Sequence, residues 1–599
     1  MRKVIRGSIV SGVLAVGLSA SLGAAGSAPV AEAAMKGDKT AVRALLKDGN
    51  DVNAAQGDGM TALHWAARIG DRELAEMLLY AGANVKATTR LGRYSPLMMA
   101  AEQGRAGVIA ALLAAGADVK AVNATGTTPL MLAALSGDTK SVTVLVENGA
   151  EIDAKEKAME QTALMFAAAT NRLEAITALI KAGADPKLSS KVVDVASLSA
   201  REQEAFQQAS GSGGQPGGSG QGRSGVTLPV ASAPAPAAEA AGQGGQSGGQ
   251  GGGGGFRNMG GKAGIDRPYF YNELVGATGG MTPLLLAARG GYVDAVKMLV
   301  AAGAPLTQQS GGDKTSPLLI ATINGHFDLA KWLLEQGADP NTAASNGVTP
   351  LYAALNVTWA PRALYPQPRA FQQQQITYLD FMKALLDKGA NPNLRLSRKV
   401  WYAEYNFDLA GVDEIGATPF WRAAFAGDVA ALQLLFDHGA DPNIPTMRQA
   451  GRPRVGDSGA REVRDVSGLA PIAVGGPGVP ALQAAAGVGF GEGFAANSHI
   501  HSPAGFLPGI KFLVEVAGAD VNDVDYDGNM ALHHAAARGD NASILYLVSR
   551  GADVTKVNRE GQTVADMANG PVQRVQPFPD TLALLEKLGS KNNHKCVSC

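Results

Sequence analysis

The 599-residue chain carries only two cysteines, Cys596 and Cys599, both within its last four residues. A disulfide framework for the fold is therefore excluded, and any core must hold by burial alone. A surplus of charge is missing too: 52 Lys and Arg stand against 53 Asp and Glu, and the pI is near 6.7. Nucleic-acid binders draw on a basic face, so neither nucleic acid nor an anionic membrane surface is an expected partner. Long apolar runs are absent beyond the N-terminus, and no later stretch reaches the ~20 residues of a spanning helix.

What the sequence does have is a globular balance, with 46% hydrophobic and 18% charged residues. At 599 residues it is too long for one ordinary core, so several units or a repeat array are expected. The first segment reads as an address. Arg2, Lys3 and Arg6 precede the apolar run Ile9–Leu22, and small residues follow from Gly23 to Ala28. That is the layout of a signal peptide over residues 1–28. It predicts a periplasmic or secreted protein with no membrane span after cleavage. An uncleaved anchor is the alternative, and the run is short for one.

The dominant feature is self-similarity. Thr61-Ala62-Leu63-His64-Trp65-Ala66-Ala67 recurs from Ser95, Thr128 and Thr162, spaced 33 or 34 residues apart. Later copies start at Thr282, Ser316, Thr349, Thr418, Pro480, Met530 and Thr563. A second marker, Gly-Ala-Asp or a variant, keeps step at Gly82, Gly116, Gly149 and Gly183. Thr61 suits a helix N-cap, and Pro96 suits the first helical position. Gly70 stops that helix, and Leu74, Ala75, Leu78 and Leu79 recur at helical spacing on a second one. Each unit reads as a helix, a turn, a helix and a hairpin-like loop. One unit cannot bury its apolar face alone, whereas stacked neighbours can.

These motifs resemble the ankyrin family: TALHWAARIGD at Thr61–Asp71, TPLMLAALSGD at Thr128–Asp138 and MALHHAAARGD at Met530–Asp540. The overall plan is similar to secreted bacterial ankyrin proteins. The resemblance implies an all-α solenoid of helix-turn-helix units whose concave surface binds a protein partner. The family's first-helix His remains only at His64 and His533. Met98, Met131, Met165, Leu285, Leu319, Tyr352 and Trp421 replace it elsewhere, either filling space between repeats or lining a Met-rich groove.

Residues 29–188 are read as a first stack with an N-terminal cap, and 277–590 as a second stack. Between them, 189–276 is Gly-, Ser- and Gln-rich and behaves as a flexible linker. A continuous solenoid with one long loop and two hinged halves both fit. Insertions cluster in the second stack and carry aromatics, as in Val357–Gln375, Leu396–Gly416 and Gly487–Phe506. Insertions in repeat arrays map to loops on one face, often the binding face, and aromatics anchor interfaces. Trp359, Tyr365, Trp401, Tyr402 and Trp421 are therefore the candidate anchors. The rival reading has them pin the loops back onto the solenoid.

Chemistry is poorly represented. No G-x-x-x-x-G-K-[ST], G-x-S-x-G or H-E-x-x-H is present, and Gly487–Gly491 follows a helical segment without the strand a phosphate cradle needs. Asp51, Asp71, Asp118 and Asp339 sit at turn positions and form no acid–base pair. His499 and His501 lack reinforcing ligands. No enzyme activity and no cofactor are expected. The tail 591–599 leaves one chemical alternative, a redox- or metal-linked envelope protein using Cys596 and Cys599. His594 precedes the pair, one ligand short of a zinc set. A c-type haem needs His directly after the second Cys, and the chain ends there. That alternative predicts a cofactor absorbance or metal signal in purified protein, abolished in Cys596→Ser; an unchanged spectrum and composition would refute it.

Overall fold

The computed structural model describes residues 28–199, 201, 271–359, 370–400, 412, 414–450, 465–490, 501–570 and 576–595. Residues 1–27 of the expected signal segment 1–28, most of the 189–276 linker, and Cys596 and Cys599 lie outside the described residues. Nearly all regular structure is helical, in helices of five to ten residues. Such lengths are marginal in isolation, so each end needs a local signal and each face a neighbour.

The signals are those expected. Ser95, Thr128, Thr349 and Thr418 accept hydrogen bonds from the amides of Met98, Met131, Tyr352 and Trp421 at 3.2–3.3 Å. Each thereby satisfies a donor that has no partner inside its helix. Pro96, Pro129, Pro283, Pro317, Pro350 and Pro419 follow at the first helical position, where no amide bond is lost. In several units the second helix is opened by Asp in the same way: Asp71 accepts from Leu74, Asp428 from Ala431 and Asp540 from Ser543.

The chain divides into two compact units, Met1–Ala158 and Met159–Cys599. In the first, helices Pro29–Met35, Ala62–Ile69, Pro96–Glu102 and Pro129–Ser136 pack side by side as one layer. Arg72–Tyr80, Ala106–Ala114 and Thr139–Glu147 form the layer beneath. The pairs Ala66-Ala67, Ala100-Ala101 and Ala133-Ala134 are fully enclosed. With only a methyl group at each of two adjacent positions, neighbouring first helices can approach closely. Leu74, Leu78, Ile109, Leu112, Val142 and Leu145 fill the space between layers, each contributing about 1.5–3 kcal/mol by leaving water.

Among the described residues the second unit repeats the plan with eight first-layer helices, from Ala163–Ala169 to Val564–Ala568, each packed on the next. Helix Ala163–Ala169 packs directly on Pro283–Gly290, and Leu173–Lys181 on Val293–Ala301. Of the two arrangements left open at the Gly-rich segment, continuous stacking is the one seen here. A short antiparallel pair, Val192–Asp194 with Ala277–Gly279, closes the base of the segment, with Val192 opposite Gly279. It is the only two-stranded sheet among the described residues.

Loop tips of successive repeats are joined by single backbone bonds. Arg90 donates to Asp58 at 2.8 Å, Lys157 to Thr125 at 2.9 Å and Arg559 to Asp527 at 2.9 Å. Gly59 explains one glycine of this series. Its φ is +87°, and a Cβ there would lie 2.5 Å from the Arg90 amide nitrogen. A second staple runs along the other edge. Asn393 Nδ2 donates to the Gly439 carbonyl at 2.9 Å while its Oδ1 accepts from the Asp441 amide at 2.8 Å. Asn53, Asn341 and Asn522 make the same two bonds to their neighbours.

This staple is testable. Asn393→Ala removes two bonds between repeats and is expected to cost about 1–2 kcal/mol in urea unfolding. Asn443→Ala, at the same position of the following unit but without the bridging pair, should change stability by less than about 0.5 kcal/mol.

Candidate docking surface

Two neighbouring columns of the first-helix layer decide what the surface can do. The first is the column of the family His. His64 Nδ1 accepts from the Thr61 amide at 3.2 Å and lies 2.8 Å from the Thr61 hydroxyl. An acceptor Nδ1 puts the proton on Nε2, which donates to the Tyr94 carbonyl of the next repeat at 3.0 Å. Trp421 does the same job with different chemistry. Its indole N–H donates to the Val479 carbonyl at 2.9 Å, and Val479, like Tyr94, is the residue just before the next repeat's motif.

Every side chain of this column is enclosed. Met98, Met131, Met165, Leu285, Leu319, Tyr352, Trp421 and His533 are no more than 1% exposed. The packing reading therefore holds, and the Met-lined groove is excluded, because these sulfurs lie between repeats. Trp421, an expected anchor, is corrected for the same reason: a fully buried indole stacked on Phe425 at 5.2 Å offers nothing to a partner.

Trp359 is half-buried and serves its own array. Its indole N–H donates to Asp428 Oδ2 at 2.9 Å, its ring meets Tyr378 edge-on at 6.1 Å, and its carbonyl accepts from Arg422 Nη2 at 2.8 Å. Tyr378 also donates to Asp428 Oδ2, at 2.6 Å. Burial and the Asp428 carboxylate raise the Tyr378 phenol above its usual range. Tyr365, Trp401 and Tyr402 lie outside the described residues.

The second column, one residue further along each first helix, reads Trp65, Met99 and Leu132 in the first unit, then Phe166, Leu286 and Ile320 in the second. It reaches the surface only in part: Trp65, Met99 and Phe166 are half-buried, whereas Leu132, Leu286 and Ile320 are buried. Ile69, one turn on from Trp65, is 41% exposed, and Leu91 at the adjacent loop tip is 73% exposed between Arg90 and Arg93. The Trp65 indole N–H donates to Gln56 Oε1 at 2.8 Å, and the Arg68 guanidinium lies 5.6 Å from its ring centre. The ring is thus held in place and half-buried. A preoriented aromatic beside exposed aliphatics and arginine is the composition of an interface centre. The motif signal was in the sequence: aligned repeats place large apolar residues at this position six times in succession.

The profile for ankyrin repeats in three copies matches residues 97–190, 268–344 and 284–360, that for ankyrin repeats in many copies matches 30–79 and 502–547, and a single ankyrin repeat matches 415–447. Together they cover more than half of the chain. It is an ankyrin-repeat protein. Among curated relatives, protein phosphatase 1 regulatory subunit 12A of Rattus norvegicus is 37% identical over 95 residues, and that of Mus musculus 37% over 93. Each alignment spans 16% of this chain and only 8% of the relative. The ankyrin profiles span both structural units and stop short of the Cys596–Cys599 tail.

The polar groups of the repeats are used structurally. Asp51 accepts from the Asn53 amide, Asp71 from Leu74, Asp118 from Lys120 and Asp339 from Asn341, all at 2.8–3.0 Å. Among the described residues no group of three or more His, Cys, Asp or Glu is placed to hold a metal. His501, part of the pair considered with His499, stacks on Phe506 at 4.4 Å, and Arg538 covers the same ring. His499 lies outside the described residues. Among the described residues no helix is long and apolar enough to cross a membrane.

His533 carries a pH consequence. Burial, reinforced by neighbouring His534, pushes its pKa down to about 4. Below the ordinary value near 6.5 the unfolded chain takes up a proton that the folded chain refuses, so stability falls as pH drops from 6.5 towards 4. The loss is on the order of 3 kcal/mol once both pKa values are passed. His533→Met copies the residue used at Met98, Met131 and Met165, and should flatten this part of the stability–pH curve measured by denaturant unfolding. A wild-type curve parallel to the variant's between pH 6.5 and 4 would show that His533 contributes nothing.

Proposed function

We propose that this ankyrin-repeat protein is a non-catalytic scaffold that works outside the cytoplasm, in the periplasm or secreted, and docks a protein partner on its first-helix face. The observation that carries the reading is the apolar set of half-buried Trp65 and Met99 with exposed Ile69 and Leu91, flanked by Arg68, Arg90 and Arg93. A rigid array loses little entropy on docking, so a few anchors suffice for useful affinity. The curated relatives support a binding role in the words of their name, regulatory subunits of a phosphatase. The near-zero net charge speaks for a protein partner over a polyanion. The location rests on the Arg2–Ala28 segment, which has the layout of a secretory signal and places the protein with the secreted bacterial members of the family.

The inserted segments around Tyr365, Trp401 and Tyr402 are proposed as a second contact region, because insertions of repeat arrays gather on one face. Trp359 and Trp421 have no part in it, since each is committed to internal contacts.

The first-helix face is tested by affinity capture from the envelope and secreted fractions, with wild-type protein, Trp65→Ser/Ile69→Ser, and Tyr80→Ser as a control. Tyr80 is 97% exposed and lies on a second helix, away from this column. Loss of a wild-type partner by the double variant and its retention by the control are expected, with circular dichroism unchanged. If the double variant retrieves everything the wild type does, the first-helix face is not the docking surface.

A further inference from the structure

Down the second column the residues after Ile320 are Ala353, Arg422, Ala484, His534 and Met567. Arg422 is the departure that demands an account. It sits in helix Pro419–Phe425, against helix Pro350–Thr358 of the preceding repeat, and is 2% exposed. Its Nε donates to Asn356 Oδ1 at 3.1 Å and its Nη2 to the Trp359 carbonyl at 2.8 Å. Its Nη1 is buried with no hydrogen-bond partner. The Nδ2 of Asn356 is orphaned in the same way. The orientation of that amide follows from its bond to Arg422, since only the oxygen can accept.

Two buried donors left over on one hydrogen-bonded pair are costly, and one belongs to a permanent cation. The ring of Phe425, 5.7 Å from the guanidinium carbon, offsets part of the charge. Asp428, the carboxylate of the same network, is already committed. Its Oδ1 takes the Ala431 amide, and its Oδ2 takes both the Trp359 indole and the Tyr378 hydroxyl. A buried guanidinium whose direct acceptors are all neutral is incompletely repaid for its desolvation, since Asp428 reaches it only through Trp359.

We propose that the interface between helices Pro350–Thr358 and Pro419–Phe425 is an anion site, in which a compact anion, a halide or a carboxylate, accepts from Arg422 Nη1 with Asn356 Nδ2 as the spare donor of the pair. The anion supplies an acceptor where only donors remain. The site stands on buried polar groups of the second unit and is independent of the Trp65 surface.

The test uses the full chain. Its unfolding midpoint is followed while sodium chloride, or sodium acetate, replaces sodium methanesulfonate at constant ionic strength. A saturable rise is expected, as for any ligand bound only by the folded state. Arg422→Lys keeps the charge but loses the planar fork, and should weaken the half-saturating concentration about tenfold. Asn356→Leu should weaken it as well. Line broadening of the chloride resonance gives a readout on unmodified protein, should either variant fail to fold. If acetate narrows that line, the site admits carboxylates, including those of a protein partner; if it does not, the ligand is a free halide-sized ion. A midpoint indifferent to both salts, together with an unbroadened line, would mean that water satisfies these donors, and would overturn the proposal.

Discussion

Everything in this molecule depends on one repeat leaning on the next. A pair of seven- to nine-residue helices has neither the length to persist nor the volume to enclose its own apolar side. Two devices meet that constraint. Adjacent alanines such as Ala66 and Ala67 let first helices come close, and in some repeats a donor on the first helix reaches a carbonyl of the following unit. His64 and Trp421 supply that donor with different rings to the equivalent carbonyls of Tyr94 and Val479. Where Met or Leu fills the column the bond is given up for apolar packing, and loop-tip amides and asparagine staples carry the polar connection instead.

The far end of the array shows the same logic inverted. Asp566 occupies the His column in the last repeat and is fully buried. It accepts where His64 donates, taking the Asn593 amide at 2.7 Å, while Thr563 donates to the Lys591 carbonyl at 2.6 Å. Gln562 adds a bond to the Lys595 carbonyl at 3.0 Å. Residues 591–595 thus provide the contacts that a following repeat would give, which is what a terminal unit requires.

The same constraint explains where functional surface can arise. Side chains in the His column are locked between repeats, so exchange there changes packing. One residue along, the side chain is half-buried at Trp65, Met99 and Phe166 and enclosed in the other repeats. Trp65, Met99 and the exposed Ile69 owe their availability to that geometry. In the second unit, the Arg422, Asn356, Trp359, Tyr378 and Asp428 network takes up the space where insertions interrupt the regular step. Here polar groups stand where apolar contact would have done, at the cost of two donors without partners.

The repeat step, the caps and the helix-pair character were determined by sequence alone, because they depend on interactions within four residues or on a pattern repeated at constant period. The absence of a disulfide framework for the fold was equally settled by two cysteines lying at one end. Aromatic roles were not settled. Trp359, Trp421 and Trp65 are alike in composition, yet one bridges to Asp428, one is sealed between repeats and one faces out. Which of these occurs depends on the partner atoms that a neighbouring unit brings within about 3 Å, and those come from 9 to 69 positions away along the chain. Continuity of stacking across the Gly-rich segment was likewise decided by tertiary contact, since a flexible linker permits either arrangement and only the packing of Ala163–Ala169 on Pro283–Gly290 selects one.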